Sequence, residues 1–227
     1  KVDYRFDEIP YGLEVDDAEY YYTAATIGID FDLDFSNQMK GVENRYLNKE
    51  VKKIVPFHPI GTGVLASPFV FIGNFFSSIS SEDNLISPVY FLYSIAPIFY
   101  LFMTLKFMQM SLEKLNITYE NNLLLLMFFG TGIGYYAFDR FSMSHVYEVF
   151  GTATIIYLTI LAIKENNTSR KPGIFISIGV LLFVFLSIRW VNYFLFLIPA
   201  LICYINSKSP KKIYLNPYFF LGSILGF

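Results

Sequence analysis

PVYFLYSIAPIFYLFMTLKFMQM (88–110) is a run of 23 residues whose one charge is Lys106. About 20 apolar residues in a helix cross the hydrocarbon core of a bilayer, so this stretch reads as a membrane span. Working outward, the stretches 122–138, 142–163, 173–188 and 191–205 approach or reach the same length, and a sixth begins near 214. Upstream, 60–79 is also apolar, but Gly61, Gly63, Pro68, Gly73 and Asn74 interrupt it. The expectation is an all-α polytopic membrane protein with about five spans and a truncated sixth in 80–227, preceded by a polar head.

Charge is distributed accordingly. The chain is 54% hydrophobic and 16% charged, where soluble domains carry about 25% charged residues. Residues 1–58 hold 12 of the 19 acids and 7 of the 17 bases, a net −5, and the remaining 169 residues hold 7 acids and 10 bases. The overall net charge of −2 gives no support to nucleic-acid binding. Cys203 is the one cysteine and sits in an apolar run, so no disulfide framework exists. The chain opens at Lys1 in polar sequence and stops at Phe227 inside an apolar run. It reads as a fragment, with a helix expected before it and several after.

Linker charge orients the bundle. KENNTSRKP (164–172), NSKSPKK (206–212) and the linker 111–121, which follows Lys106 and includes Lys114, carry the bases, whereas SSEDNLIS (80–87) has none and the turns at 139–141 and 189–190 have one Arg each. The positive-inside rule places the basic set in the cytoplasm and 80–87 outside. Residues 1–58 are then extracytoplasmic if 59–79 lies on the membrane as a juxtamembrane helix, and cytoplasmic if it spans. Its glycines, Pro59 and Pro68, and the acidic head favour the surface position. N-I-T at 116–118 and N-N-T at 166–168 fit the glycosylation pattern but fall on the cytoplasmic side.

Five constellations carry chemistry. DDAEYYYTAAT (16–26) has an Asp start signal and acids in its first turn, so it predicts a helix. Asp16 and Asp17, with Glu19, supply a general base or a cation ligand, or else a cap and favourable dipole charge. IDFDLDF (29–35) places Asp30, Asp32 and Asp34 at calcium-loop spacing, but Phe35 and Gly41 stand where an EF-hand needs Gly and Glu. An alternating strand with one acidic face is expected there instead, with weak ion binding as the alternative. In PFHPIGTGVLASPF (56–69), Pro59 pushes His58 towards an extended conformation and Gly61 and Gly63 allow close backbone approach. In FDRFSMSHVYEVF (138–150), His145 and Glu148 share one helix face at the outer end of a span, as a functional pair or as a satisfied interhelical one. In LSIRWVNYF (186–194), Arg189 suits a phosphate, or anchors the interface with Trp190 and Tyr193. P-loop, G-x-S-x-G, H-E-x-x-H and paired-Cys motifs are missing from the sequence, so nucleotide hydrolysis and serine-hydrolase chemistry have no support.

The order of these pieces resembles the GT-C glycosyltransferases, which use lipid-phosphate-linked sugars. The closer likeness is to the branch of protein O-mannosyltransferases and lipid A aminoarabinose transferases. VDDAEYYYTAA (15–25) is similar to the acidic pair followed by Tyr in that branch's external first loop. PFHPIGTGVLASPFVFIG (56–73) is similar to the Pro-containing lead into its juxtamembrane helix, and SMSHVYEVF and FLSIRWVNYFLF also have counterparts. The likeness spans nearly the whole chain with short motifs, and Asp17 stands where many relatives have Glu.

The resemblance implies a GT-C-like helix bundle that transfers a hexosyl or pentosyl group from a polyprenyl-phosphate donor to a glycan, lipid or protein acceptor, with inversion. It implies Asp16 as catalytic base with Asp17 as fallback. It implies Arg189, His145, Glu148, His58 and Arg140 as the groups around the lipid phosphate. Some members use a divalent cation and others do not, so it assigns no metal. The expected location is a prokaryotic cell membrane, as a multi-pass protein, and the Lys, Asn, Ile, Phe and Tyr usage is compatible with the AT-rich genome of a microbe. A transporter or flippase for lipid-linked material, and a non-catalytic membrane scaffold, are the competing readings.

Overall fold

The computed structural model describes residues 15–40, 46–77, 87–118, 122–164 and 171–226. These are mostly helical, with one short antiparallel hairpin. The chain divides into two compact units, residues 1–99 with 135–144, and residues 100–134 with 145–227.

The first unit is built around helix α1 (Val15–Ala25), which continues into a π-helical turn at Thr26–Asp30. Every residue of α1 from Asp17 to Ala25 is buried, Asp17 and Glu19 included. Helix α2 (Gly61–Ser77) lies against it. The backbones come close because Gly63 faces Thr23, where a Cβ would stand 2.5 Å from the Thr23 Cγ2. Tyr21 packs edge-on against Tyr90 and Tyr93 from the first part of α3 (Pro88–Lys114), with ring centroids 5.9 and 5.0 Å away. Strands β1 (Leu47–Asn48) and β2 (Lys53–Ile54) pair Leu47 with Ile54 and cover a small core of Phe35, Met39 and Tyr46.

The strand expected over 29–35 does not form. Ile29 and Asp30 close the π-helical turn and Phe31 adopts a left-handed conformation, φ 58°. The Asp32 carboxylate then accepts the Asp34 N–H at 3.0 Å, and the Asp34 carboxylate accepts the Ser36 N–H at 3.2 Å. Such side-chain turns satisfy the backbone locally and so compete with a sheet ladder. Asp30 accepts the side-chain amides of Asn37 and Gln38, both at 2.7 Å.

In the second unit, helix α6 (His145–Lys164) packs on α7 (Lys171–Leu186), where the Phe185 ring covers Gly151. Rings interleave between the later part of α3 and α6, with Tyr100 5.1 Å from Tyr147 and Phe107 stacked 5.3 Å from Tyr157. Helix α10 (Pro217–Gly226) closes on α7 through Gly222, at which a Cβ would overlap the Ile176 carbonyl. Close backbone approach through small residues is how helices pack where hydrophobicity alone drives little.

Among the described residues, α3 and α6 are long and apolar enough to cross a membrane. The other expected spans are shorter or interrupted. The run 122–138 is two helices, α4 (Asn122–Gly130) and α5 (Ile133–Phe138), because Gly132 takes φ +69° and the Thr131 hydroxyl bonds back to the Met127 carbonyl at 2.6 Å. A glycine in the left-handed region is the usual helix stop. The run 191–205 begins as a 3₁₀ turn (Trp190–Phe196) before α8 (Leu197–Ile205). A short α9 (Lys211–Tyr214) precedes α10.

Candidate functional site

In the first unit, α1 sends its acids to different partners. Residues two apart on a helix project about 200° from one another, so Asp17 and Glu19 cannot share a face. The Asp17 Oδ2 lies 3.3 Å from the Arg140 Nη2. Arg140 follows α5, in a turn held by its N–H on the Tyr135 carbonyl. The same turn ties down the α1 backbone, since the Ser142 hydroxyl donates to the Asp17 carbonyl at 2.7 Å and meets the Tyr93 hydroxyl.

Glu19 is 1% exposed, and its Oε2 serves three groups from the lead into α2. It accepts the backbone N–H of Phe57 at 3.0 Å and of His58 at 3.1 Å, and the His58 Nδ1 lies 2.9 Å away. The chain does not run extended through His58 as expected: it bends at Phe57 and His58, between Pro56 and Pro59, and the bend brings two successive amides and the His58 ring to one oxygen. The His58 ring also packs on Tyr20, 5.2 Å between centroids. With the Nδ1 proton directed at Glu19, Nε2 is the nitrogen left for other chemistry. A carboxylate that fixes an imidazole tautomer in this way prepares it to give or take a proton.

Asp16, expected as the base, is the second residue of α1, and its side chain lies outside the described residues. Asp17, the fallback, is buried in an ion pair. Glu19 is the residue that sequence reasoning left without a partner. Its ligands are 38 and 39 positions away, and the only signal for it was an acid among tyrosines on a helix.

Three other expected residues come together in the second unit. Glu148, in the first turn of α6, lies 3.9 Å from the His145 Nδ1 and 3.5 Å from the Arg189 Nε. Arg189 is extended, φ −153° and ψ 135°, immediately before the 3₁₀ turn, and its side chain is 49% exposed. Asn192 steadies that turn by donating to the Phe185 carbonyl at 2.9 Å. Trp190 and Tyr193 stack beside it, 6.2 Å apart.

Among the described residues, no group of three His, Cys, Asp or Glu side chains is arranged to hold a metal ion. The Asp30, Asp32 and Asp34 carboxylates turn to separate partners, as described above. Compared with protein-family models, with curated proteins and with solved structures, the chain matches none.

Proposed function

We propose that the chain is a multi-pass, membrane-embedded glycosyltransferase of the GT-C kind, which moves a sugar from a polyprenyl-phosphate donor to an acceptor at the extracytoplasmic face of a prokaryotic cell membrane. The observation that carries this reading is the charged network around α1. A buried helix holds two carboxylates, one on Arg140 and one on His58, and His58 belongs to the H-P-I-G stretch. Burying charges is costly unless they are paired, and such groups concentrate at functional sites.

In this reading Asp16 accepts the proton of an acceptor hydroxyl as its oxygen attacks the anomeric carbon. The bond from that carbon to the phosphate oxygen breaks, the lipid phosphate leaves with the electron pair, and the anomeric centre inverts. Cationic donors stabilise the charge gathering on the leaving phosphate. In the first unit these are Arg140 and, when its ring is protonated, His58 through Nε2. Arg189 and His145 of the second unit, steadied by Glu148, are an alternative set of donors with the same chemistry. Asp17 positions Arg140, and Glu19 positions His58.

Asp16→Asn is expected to abolish transfer from a labelled polyprenyl-phosphate sugar while leaving the amount of folded protein in detergent unchanged. Turnover at the wild-type rate in that variant would remove Asp16 from the mechanism. The break in the apolar run 122–138 favours a second reading, a transporter or flippase for lipid-linked material, because transporter sites form at interrupted helices. Movement of a labelled polyprenyl-phosphate lipid across vesicles without any sugar transfer would support it.

A further inference from the structure

Helix α2 is packed inside out. Gly63, Ala66, Ser67, Val70 and Gly73 are buried, whereas Pro68, Phe71, Ile72, Phe75 and Phe76 are exposed. The exposed set recurs at i, i+3, i+4, i+7 and i+8, a single stripe along the helix. No charged residue occurs in α2. A helix facing water buries its large side chains and exposes polar ones, and exposed apolar stripes of this size mark an interaction surface. Small residues inward and large apolar residues outward is the arrangement of a helix that meets lipid.

Phe31 extends this stripe. It is 73% exposed and its ring lies edge-on to Phe71, 5.7 Å between centroids. It is also a bulky residue at φ 58°, a conformation that non-glycine side chains rarely adopt and that costs about 1 kcal/mol or more. Water would not stabilise an aromatic ring held outward at that cost. The carboxylates of this loop, Asp30, Asp32 and Asp34, each accept hydrogen bonds from within it, which lowers the penalty for bringing the loop near a nonpolar phase. The stripe is continuous with a span, since Phe69 of α2 packs on Phe99 of α3 at 5.5 Å.

We propose that the bilayer covers this surface, and that Phe31, at the left-handed bend after α1, inserts into the lipid beside the α2 stripe and anchors the acidic helix at a fixed depth. The inference rests on the membrane reading of α3. It deepens the proposed function by giving α1 a fixed height relative to a lipid-linked donor.

Tryptophan quenching in full-length protein tests it. Two single-tryptophan variants are placed in vesicles of phosphatidylcholine carrying brominated acyl chains, both in a Trp190→Phe background. Phe102→Trp, on the exposed face of α3, reports whether the span is in lipid. Phe31→Trp reports the bend. The expected result is loss of emission by brominated lipid in both variants, with Phe31→Trp shielded from aqueous iodide. Quenching of Phe102→Trp by lipid together with quenching of Phe31→Trp by iodide alone overturns the anchor and leaves the span intact. Resistance of Phe31→Trp to both quenchers also overturns it, and shows that protein covers the surface. If neither variant is quenched by lipid, the membrane reading falls and the anchor falls with it.

Discussion

The two acid clusters are made from the same residue types and differ in depth. Asp17 and Glu19 sit at 2% and 1% exposure on a helix that is buried on every side, whereas Glu148 keeps 19% of its side chain in contact with solvent and pairs with an Arg189 that is half exposed. Depth decides what each pair contributes. A buried carboxylate stripped of its partners keeps the cost of its desolvation and loses the compensation, about 3–5 kcal/mol. An exposed pair gives back about 0–1 kcal/mol, because water replaces the partner. The α1 cluster therefore supports the fold and the candidate site together, while the Glu148 cluster can be altered with the fold intact.

The largest effect expected from this contrast is that of Glu19→Ala. Three donors, the Phe57 and His58 amides and the His58 ring, would lose one shared acceptor inside the first unit. A loss of about 3 kcal/mol or more follows, read as a lowered unfolding midpoint in detergent by intrinsic fluorescence. Glu19→Gln keeps an oxygen for these donors and should recover much of it. A midpoint for Glu19→Ala equal to wild type would show that the lead into α2 is held by other contacts.

Next comes Arg140→Ala. The guanidinium is about a quarter exposed, with 26% of its side chain accessible, and Asp17 is almost fully buried, so solvent screening reduces the expected cost to about 2 kcal/mol. The pairing is tested by combining it with Asp17→Asn. The double variant should be less destabilised than the sum of the two single ones, since contacting residues do not add. Strict additivity would mean that the 3.3 Å contact carries no coupling.

Local signals made part of this legible in the sequence. The start signal and acids of DDAEYYYTAAT mark α1 to within a residue, and the run 88–110 lies within α3. The acids themselves were visible, but their partners were not. Asp17 meets Arg140 across 123 positions, and no periodicity reports a contact at that distance. The failure at 29–35 has a different cause. Alternation of acid and apolar residues is the signature of a strand, yet short acceptor side chains at every second position also cap turns, and here each carboxylate took a nearby N–H or amide. The run 122–138 was legible as apolar and not as one helix, because hydropathy does not register a left-handed Gly132.

The smallest effect on stability, and the sharpest test of the contrast, is expected at Arg189. Its Nε lies 3.5 Å from Glu148, a long contact between partly solvated groups, so Arg189→Lys and Glu148→Gln should each move the unfolding midpoint by no more than about 1 kcal/mol. If the proposed glycosyltransferase reading holds, their effect on transfer should be large by comparison. Lysine keeps the charge and loses the planar fork that binds two phosphate oxygens at once. If Arg189 meets the donor phosphate in the ground state, Arg189→Lys raises the KM for the polyprenyl-phosphate sugar. If it meets the charge that develops as the phosphate leaves, kcat falls while KM stays. Glu148→Gln should follow the same pattern more weakly if Glu148 serves to orient Arg189 and His145, the two cations beside it. A stability loss at Arg189 matching that of Glu19→Ala would erase the distinction in depth. Unchanged KM and kcat in both variants would assign the Glu148 cluster to interfacial anchoring with Trp190 and Tyr193.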